Sequence, residues 1–271
     1  MLTTADIIAR RVPLCVGLGG GVNSTALLVE LHLRNIRPDL IAFADTLGEK
    51  PETYAHLTEL DAWLSRVGFP HITRLLKASP RTGDVSLEAE CLRRETLPSR
   101  AFGMSGCAQR WKIEPQEKHL NNWAPARAAW AAGLRPIKAL GFDGGETRRA
   151  TIHEDAKVIY WYPLIEWDLD RAACVAAIES AGMRAPGKSS CFYCPSMRKS
   201  EVLELAREKP DLFARALAIE DRALISERHD LRTIKGLGRH WSWRELVTSA
   251  DTSAYPEQPV ESCTVCSDES E

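Results

Sequence analysis

A glycine-rich stretch near the start of the chain has the composition of an anion-binding turn. It reads Gly17-Leu18-Gly19-Gly20-Gly21-Val22-Asn23-Ser24-Thr25, after an apolar run that ends at Val16 and before another that begins at Ala26. This order predicts a buried strand, a glycine turn and a helix N-terminus. Glycine accepts positive φ, and the first N–H groups of a helix have no partner within it. The stretch therefore predicts a phosphate- or sulfate-binding turn, with a tight turn that binds nothing as the alternative.

The eight cysteines are the second set of residues that carry chemistry. Cys191 and Cys194 form one C-x-x-C pair, Cys263 and Cys266 form another, and Cys191 follows Cys107 by 84 positions (191 − 107). In a reducing compartment such spacing indicates metal, cluster or redox chemistry rather than a disulfide framework. Taken alone, Cys107 is better interpreted as a small buried hydrophobe.

Charge and hydropathy limit the classes of partner. Lys and Arg number 35 against 37 Asp and Glu, a formal net charge of −2, which gives no support for a nucleic-acid-coating surface. No apolar run approaches the roughly 18 residues of a membrane span, and the N-terminus lacks a signal-peptide pattern. We therefore expect a cytoplasmic protein with no membrane partner.

The elements that position these residues alternate between strand and helix in the first two thirds of the chain. Apolar runs predict strands at 39–45, 71–75, 137–141 and 158–162, besides the strand before the glycine turn. The alternation predicts right-handed crossovers and a parallel sheet covered on both faces. The expected fold class is α/β, a doubly wound, Rossmann-like parallel sheet with a helical C-terminal region.

Three segments are predicted along the chain. Residues 1–186 form the α/β domain, 187–247 hold the first C-x-x-C pair and a helical C-terminal region, and 248–271 form a flexible polar tail. At 271 residues the chain is long enough to bury a substantial core.

Five ordered blocks of the sequence resemble the phosphoadenosine phosphosulfate (PAPS) reductase family of the N-type ATP pyrophosphatase, or PP-loop, superfamily. The similarity covers about Pro13 to Ser200, and its blocks are 19–24, 45–53, 107–115, 141–150 and 162–167. The resemblance implies the adenine nucleotide alpha hydrolase-like variant of the α/β fold.

The blocks depart from the family pattern at identifiable positions. Gly19 and Asn23 stand where the family loop has serine and aspartate, and Asp143 stands where an arginine is usual. The blocks that begin at Asp45 and at Cys107 each contain one inserted residue. The substitution at Asn23 puts metal–ATP handling by the loop in question.

The resemblance implies an adenine-nucleotide site. Its cofactor-binding residues would be Gly19, Gly20, Gly21, Asn23, Ser24, Asp45 and Gly141. Lys112 and Arg149 would neutralise the bound anion, helped by Arg110 or Arg148. Asp45 would bind adenosine or Mg²⁺, with a helix cap as its alternative role.

The resemblance also implies an iron–sulfur cluster. Adenosine phosphosulfate reductases of the family hold a four-iron cluster through Cys-Cys and, roughly eighty residues later, Cys-x-x-Cys. Here Cys107, Cys191 and Cys194 match this spacing, although Gly106 replaces the first cysteine of the doublet. A [4Fe-4S] cluster on these three thiolates would take its fourth ligand from Cys91, Cys263 or Cys266. Otherwise one iron would stay open to hold sulfide, as in related tRNA-thiolating enzymes.

Two reactions would share such a site. In sulfur transfer, ATP adenylates an acceptor and sulfur then displaces AMP. In sulfonucleotide reduction, a cysteine thiolate attacks the sulfur of adenylyl sulfate (APS) or PAPS, and sulfite and AMP or its 3′-phosphate (PAP) result. The catalytic candidates are Cys107, Lys112, Arg149 and Cys263. The implied partners are an adenine nucleotide, a sulfur donor or a reductant such as thioredoxin, a nucleic-acid acceptor and a second copy of the chain.

A function of a different class stays open at this level. The two C-x-x-C pairs would form a four-thiolate zinc site in a nucleic-acid-binding module, although their separation far exceeds the usual interval of about 15–20 residues. In that module Trp241 and Trp243 would stack on bases, whereas packing in a core is the commoner fate of such tryptophans.

Overall fold

The computed structural model describes residues 3–77, 79, 81–151, 154–226 and 233–249. The predicted tail 248–271 therefore lies outside the described residues except for its first two. Cys263 and Cys266, the candidate nucleophile and its neighbour, also lie outside them.

The described elements occur in strand–helix alternation through the first two thirds of the chain. The strands are β1 (Leu14–Leu18), β2 (Leu40–Asp45), β3 (Ile72–Leu76), β4 (Ile137–Leu140) and β5 (Ile159–Trp161). The helices are α1 (Thr4–Arg10), α2 (Val22–Leu33), α3 (Pro51–Arg66), α4 (Leu87–Arg94), α5 (Gly106–Ala108), α6 (Glu114–Asn122), α7 (Ala124–Ala131), α8 (Pro163–Glu166), α9 (Arg171–Ser180), α10 (Lys199–Glu208), α11 (Pro210–Ile225) and α12 (Trp243–Thr248). Shorter helical turns are the 3₁₀ turns Ser99–Phe102 and Gly144–Arg149 and the π-helical turn Gln109–Ile113.

The five strands form one parallel sheet in the order β3-β2-β1-β4-β5. β1 lies in the middle, with Val16 opposite Ile41 of β2 and opposite Ala139 of β4. The prediction of an α/β, doubly wound, Rossmann-like sheet is confirmed. Among the described helices, none is both long and apolar enough to cross a membrane.

The described chain divides into two compact units. Unit 1 comprises the residues up to Ala44, Pro51–Leu75 and Glu114–Ser189, and unit 2 comprises Asp45–Lys50, Leu76–Ile113 and the residues from Ser190 on. This division differs from the predicted boundary at 186/187, because the segments that follow β2 and β3 group with the C-terminal residues.

The sheet of unit 1 is covered on both faces because side chains alternate along each strand. On one face a large core packs against α2, α3 and α9, and its strand residues include Val16, Ile41, Phe43, Ala139 and Trp161. On the opposite face Cys15, Leu40 and Ala42 form a smaller cluster with Leu75 and Trp123.

A buried carboxylate organises the end of unit 2. Glu220 on α11 is completely buried and accepts hydrogen bonds from the backbone N–H groups of Leu237, Trp243 and Arg244 at 2.7–3.1 Å. It also accepts one from the Ser242 hydroxyl at 2.7 Å. These four donors compensate the buried charge and fix the segment before α12.

Replacing Glu220 by alanine should destabilise the protein, because four buried donors then lose their acceptor. We expect Glu220→Ala to lower the free energy of unfolding by about 3 kcal/mol, measured by urea denaturation. Asp221→Ala is the matched control, since the neighbouring carboxylate pairs with Arg244 at the surface and should contribute little. Equal losses in the two variants would contradict this role of Glu220.

Candidate functional site

The glycine turn has the backbone geometry of a loop that approaches a ligand. Gly20 has a φ of 75°, in the left-handed region that glycine adopts without strain. A Cβ on Gly20 would lie 3.3 Å from Thr53, and one on Gly21 would lie 3.0 Å from Ser189 Oγ. A side chain at position 20 would therefore be strained by the backbone, and one at position 21 would require Ser189 to shift.

The N-terminus of α2 presents backbone donors without helical partners. Its first backbone hydrogen bond runs from Thr25 N–H to the Gly21 carbonyl at 3.1 Å, so the N–H groups of Val22, Asn23 and Ser24 precede it. These three residues are 3 % exposed, and the N-cap Gly21 has no side chain to bond them. Buried N–H groups require an acceptor, and the positive end of the helix dipole favours an anionic one.

The hydroxyl groups of the turn hold the loop itself. Ser24 Oγ donates to the Gly21 carbonyl at 3.1 Å and accepts from Gly19 N–H at 3.2 Å. Thr25 Oγ1 also donates to the Gly21 carbonyl, at 3.0 Å, and lies within hydrogen-bond distance, 2.9 Å, of His56 Nε2. Burial keeps the pKa of His56 below its usual range. The predicted side-chain donor Ser24 is thus committed to the loop in this structure.

Asn23 binds side chains of its own unit in this structure. Its Nδ2 donates to Asp143 Oδ2 at 2.9 Å and to Glu146 Oε2 at 2.8 Å, and its Oδ1 accepts from Arg171 at 2.9 Å. Arg149, predicted to neutralise the anion, forms an ion pair with Glu146. Arg171 and Glu146 were not predicted as site residues. Glu146 lies within the block 141–150, whereas no sequence pattern singled out Arg171.

The contact between Asn23 and Asp143 joins two positions at which the sequence differs from the pattern that it resembles. An aspartate at 23 would place a third carboxylate against Asp143 and Glu146, whereas the amide of Asn23 donates a hydrogen to each. The two substitutions are therefore electrostatically matched within unit 1.

Gly141 contributes by packing. A Cβ there would lie 2.8 Å from the Asn23 carbonyl oxygen and 2.9 Å from Ser24 Cα, so only glycine lets the end of β4 approach the first turn of α2. Beyond it, Asp143 caps the 3₁₀ turn Gly144–Arg149 by accepting from Gly145 N–H.

Two segments that are distant in the sequence meet within unit 2. Phe192 N–H donates to the Gly48 carbonyl at 2.8 Å, Glu49 forms a β-bridge with Cys191, and Thr46 Oγ1 lies 3.1 Å from Cys191 Sγ. Sequence reasoning treated the segment after β2 and the C-x-x-C segment as separate blocks, since no local pattern relates them.

The two inserted residues appear as local backbone features. Leu47 has a φ of 57° and donates its N–H to Asp45 Oδ1, so Asp45 stabilises its own turn. Trp111 lies in the π-helical turn Gln109–Ile113, the structure that absorbs one extra residue in a helix. Its indole is buried and donates to Glu90 Oε2 at 2.5 Å, and Arg110 pairs with the same carboxylate.

The π-helical turn places Lys112 beside Glu49. Lys112 Nζ lies 3.2 Å from Glu49 Oε1, and the carboxylate is fully buried. Glu49 Oε2 is buried without a hydrogen-bond partner among the described residues. Such an atom requires a proton, a cation or a donor, which makes this position a candidate contact for a bound group.

Four cysteines belong to the apolar cluster of unit 2. Cys91 and Cys191 are buried within it, and Cys107 and Cys194 pack against it. Cys191 and Cys194 are joined by a turn, with Cys194 N–H donating to the Cys191 carbonyl at 3.0 Å. The Cys91 thiol interacts electrostatically with those of Cys107 and Cys191. Burial raises the pKa of Cys191 to about 12, Glu49 adds to this, and Lys112 opposes it.

The donor set has the chemistry that an iron–sulfur cluster needs. Thiolates are soft ligands suited to iron–sulfur clusters and zinc, and unit 2 gathers the predicted ligands Cys107, Cys191 and Cys194 together with Cys91. Within the described residues, no three Cys, His, Asp or Glu side chains stand in a ligating arrangement. The agreement between these residues and an iron–sulfur cluster therefore rests on the kind of donor atom, sulfur, and not on a ligating geometry.

The tryptophans of the zinc alternative have different environments. Trp243 is completely buried in the core of unit 2, whereas Trp241 is partly exposed. The packed position of Trp243 leaves it no face on which a base would stack.

Comparison of the chain with protein-family models gave no match, and comparison with curated proteins gave none. Membership of the PAPS reductase family thus stays a prediction from the five blocks.

Placing a carboxylate at position 23 should destabilise unit 1. We expect Asn23→Asp to lower the free energy of unfolding by about 2 kcal/mol, because Asp143 and Glu146 lose a donor and gain a like charge. Adding Asp143→Asn, which returns an amide to the pair, should recover part of this loss in a double-mutant cycle. Asn122→Asp, the same change on the surface of α6, should have little effect. Additivity of the two substitutions would contradict the coupling.

Proposed function

We propose that the chain binds an adenine nucleotide at the glycine turn of unit 1 and transfers sulfur through an adenylated acceptor. The observation that supports this most is the buried N-terminus of α2, where three backbone N–H groups precede the first helical bond. Phosphate oxygens satisfy donors of this kind. We also retain a cytoplasmic location, because the reactive thiols require a reducing compartment.

In this proposal the turn binds through its backbone. Gly20 and Gly21 keep side chains away from the phosphate, while Ser24 and Thr25 hold the loop shape. Arg171 is hydrogen-bonded to Asn23, and Arg149 is paired with Glu146. In this proposal the two guanidinium groups fix the side chains beside the turn and add positive potential there. Mg²⁺ would balance the charge that develops on the leaving pyrophosphate.

The chemistry takes two displacements. A carbonyl-type oxygen of the acceptor attacks the α-phosphorus of ATP, the bond to the β-phosphate oxygen breaks, and pyrophosphate leaves with its electron pair. A sulfur nucleophile then attacks the activated carbon, and AMP leaves with the oxygen. The turn stabilises phosphate oxyanions in the first step through fixed N–H dipoles.

The thiols of unit 2 are proposed to hold a [4Fe-4S] cluster through Cys107, Cys191 and Cys194. When bound with one iron not ligated by cysteine, such a cluster supplies a position for sulfide. Lys112, paired with Glu49, opposes the effect of burial on the Cys191 thiol and so favours the thiolate that a metal requires. The acceptor, whether nucleic acid or small molecule, is left open.

Sulfonucleotide reduction is the second candidate, favoured by the presence of Cys91 in the same apolar cluster. Four cysteine ligands would close every iron and leave the cluster without a sulfide position. Reduction of APS or PAPS would then need a cysteine nucleophile, for which Cys263 is the candidate, and a dithiol reductant such as thioredoxin.

Nucleotide binding should depend on the glycine turn. Gly20→Ala should weaken ATP binding at least about tenfold in isothermal titration calorimetry, because the new side chain strains and fills the turn. Gly68→Ala is the matched control, since Gly68 also has a left-handed φ, of 76°, but lies in open space after α3. Formation of pyrophosphate and AMP from ATP would support sulfur transfer. Formation of sulfite from APS or PAPS would support the reductase. Equal weakening by both variants, or no binding by the wild type, would contradict the site.

The cluster should depend on its proposed ligands. Anaerobically purified protein should be brown and contain iron and acid-labile sulfide, and Cys107→Ser should lose most of both. Cys174→Ser, at a buried thiol of α9 in unit 1, should lose neither. If one iron of the cluster has no cysteine ligand, the Cys91→Ser variant should retain its iron. Loss of iron from this variant would show that Cys91 is the fourth ligand and would favour the reductase. Zinc alone, unchanged in Cys107→Ser, would contradict the cluster.

A further inference from the structure

Unit 1 contains a cavity of about 300 Å³ that the nucleotide site does not use. It lies over the sheet face opposite the main core, beneath α6. Its volume is at the lower end of the range for small-molecule sites in proteins.

The floor of the cavity is one row of residues across four strands. Cys15 of β1 stands opposite Leu40 of β2 and Lys138 of β4, and Lys138 stands opposite Tyr160 of β5. The parallel register therefore places an amine, a thiol and a phenol side by side on one face of the sheet.

Lys138 is anomalous in that row. A strand in the middle of a parallel sheet covered on both faces is normally apolar throughout. Among the described residues, Lys138 Nζ takes part in no hydrogen bond or ion pair, and its electrostatic neighbours are Cys15, Glu117 and Asp155. Burial lowers the pKa of Lys138 and raises that of Cys15 to about 11. An amine buried here without a hydrogen-bond partner lowers the stability of the protein. A ligand that accepts a hydrogen bond from this amine would therefore restore stability.

A second polar atom converges on the same point. Gln116 Oε1 on α6 is buried and has no hydrogen-bond partner among the described residues. A Cβ placed on Gly17 would lie 3.4 Å from Gln116 Oε1 and 3.6 Å from Lys138 Cε. The lining of the cavity thus includes an acceptor without a partner among the described residues and an amine.

The walls and the rim restrict the kind of ligand. Leu40, Ala42, Leu120 and Val158 give the cavity a mainly apolar lining. Glu117 and Asp155 stand at the exposed rim, and carboxylates there would repel a multiply charged anion. A monoanion with an apolar body matches these surroundings better than a nucleotide does.

We propose that this cavity binds a small organic monoanion, a carboxylate or sulfonate with an apolar body and an N–H or O–H group. The acid group contacts Lys138 Nζ, the donor reaches Gln116 Oε1, and the body packs against the apolar walls. The site is separate from the glycine turn. Cys15 precedes Gly19 by four residues, which is about 13 Å along an extended strand.

Anilinonaphthalene sulfonate is a suitable probe, because it has an aromatic body, one sulfonate and one N–H. We expect the intact chain to bind one equivalent with saturable fluorescence enhancement that ATP does not displace. Lys138→Met should weaken binding at least about tenfold through loss of the charged contact, while the melting temperature of the ligand-free protein rises. Lys157→Met, at the rim, should change the affinity less than about twofold.

Three results would contradict the proposal. Equal affinity in wild type and Lys138→Met, or a lower melting temperature for Lys138→Met, would show that the lysine is structural and overturn the proposal. Displacement of the probe by ATP would assign it to the glycine turn instead. A second measurement needs no variant: reductive methylation of the wild type, read by mass spectrometry, should be blocked by the probe at Lys138 and not at Lys157.

Discussion

The candidate site of unit 1 depends on a buried helix N-terminus whose first backbone donors have no acceptor among the described residues. Ordinary globular proteins cap such an end with a side chain or expose it to water. Here Gly21 occupies the cap, and the close packing of Gly141 keeps β4 against the first turn. The hydroxyls of Ser24 and Thr25 are bonded to the loop, which leaves the backbone itself to meet an anion.

Around that turn, the electrostatics are balanced by side chains from distant parts of unit 1. Asn23 donates a hydrogen bond to Asp143, which lies 120 residues further along the chain. An amide between two carboxylates and a guanidinium gives each neighbour the partner it needs. The side chains around the loop therefore form a consistent arrangement in which each polar group has a partner of opposite character.

Unit 2 contains two local backbone features that shape its polar cluster. Leu47 adopts a left-handed backbone, and Trp111 occupies a π-helical turn with its indole held by Glu90. With these local adjustments Glu49 stands next to both Lys112 and Cys191. Glu49, Lys112 and Cys191 thus become parts of one polar and sulfur-containing cluster.

The sequence by itself determined the strands, the glycine turn and the helix that follows it, because apolar periodicity and glycine conformation are local properties. It also pointed to the cysteines and Gly141 through their blocks. Only the tertiary structure decided that Asn23 would bind Asp143, 120 residues away, that Glu49 would meet Cys191, and that Lys138 would line a cavity. Such contacts follow from strand register and packing between distant segments, and no local pattern encodes which buried polar atoms find partners.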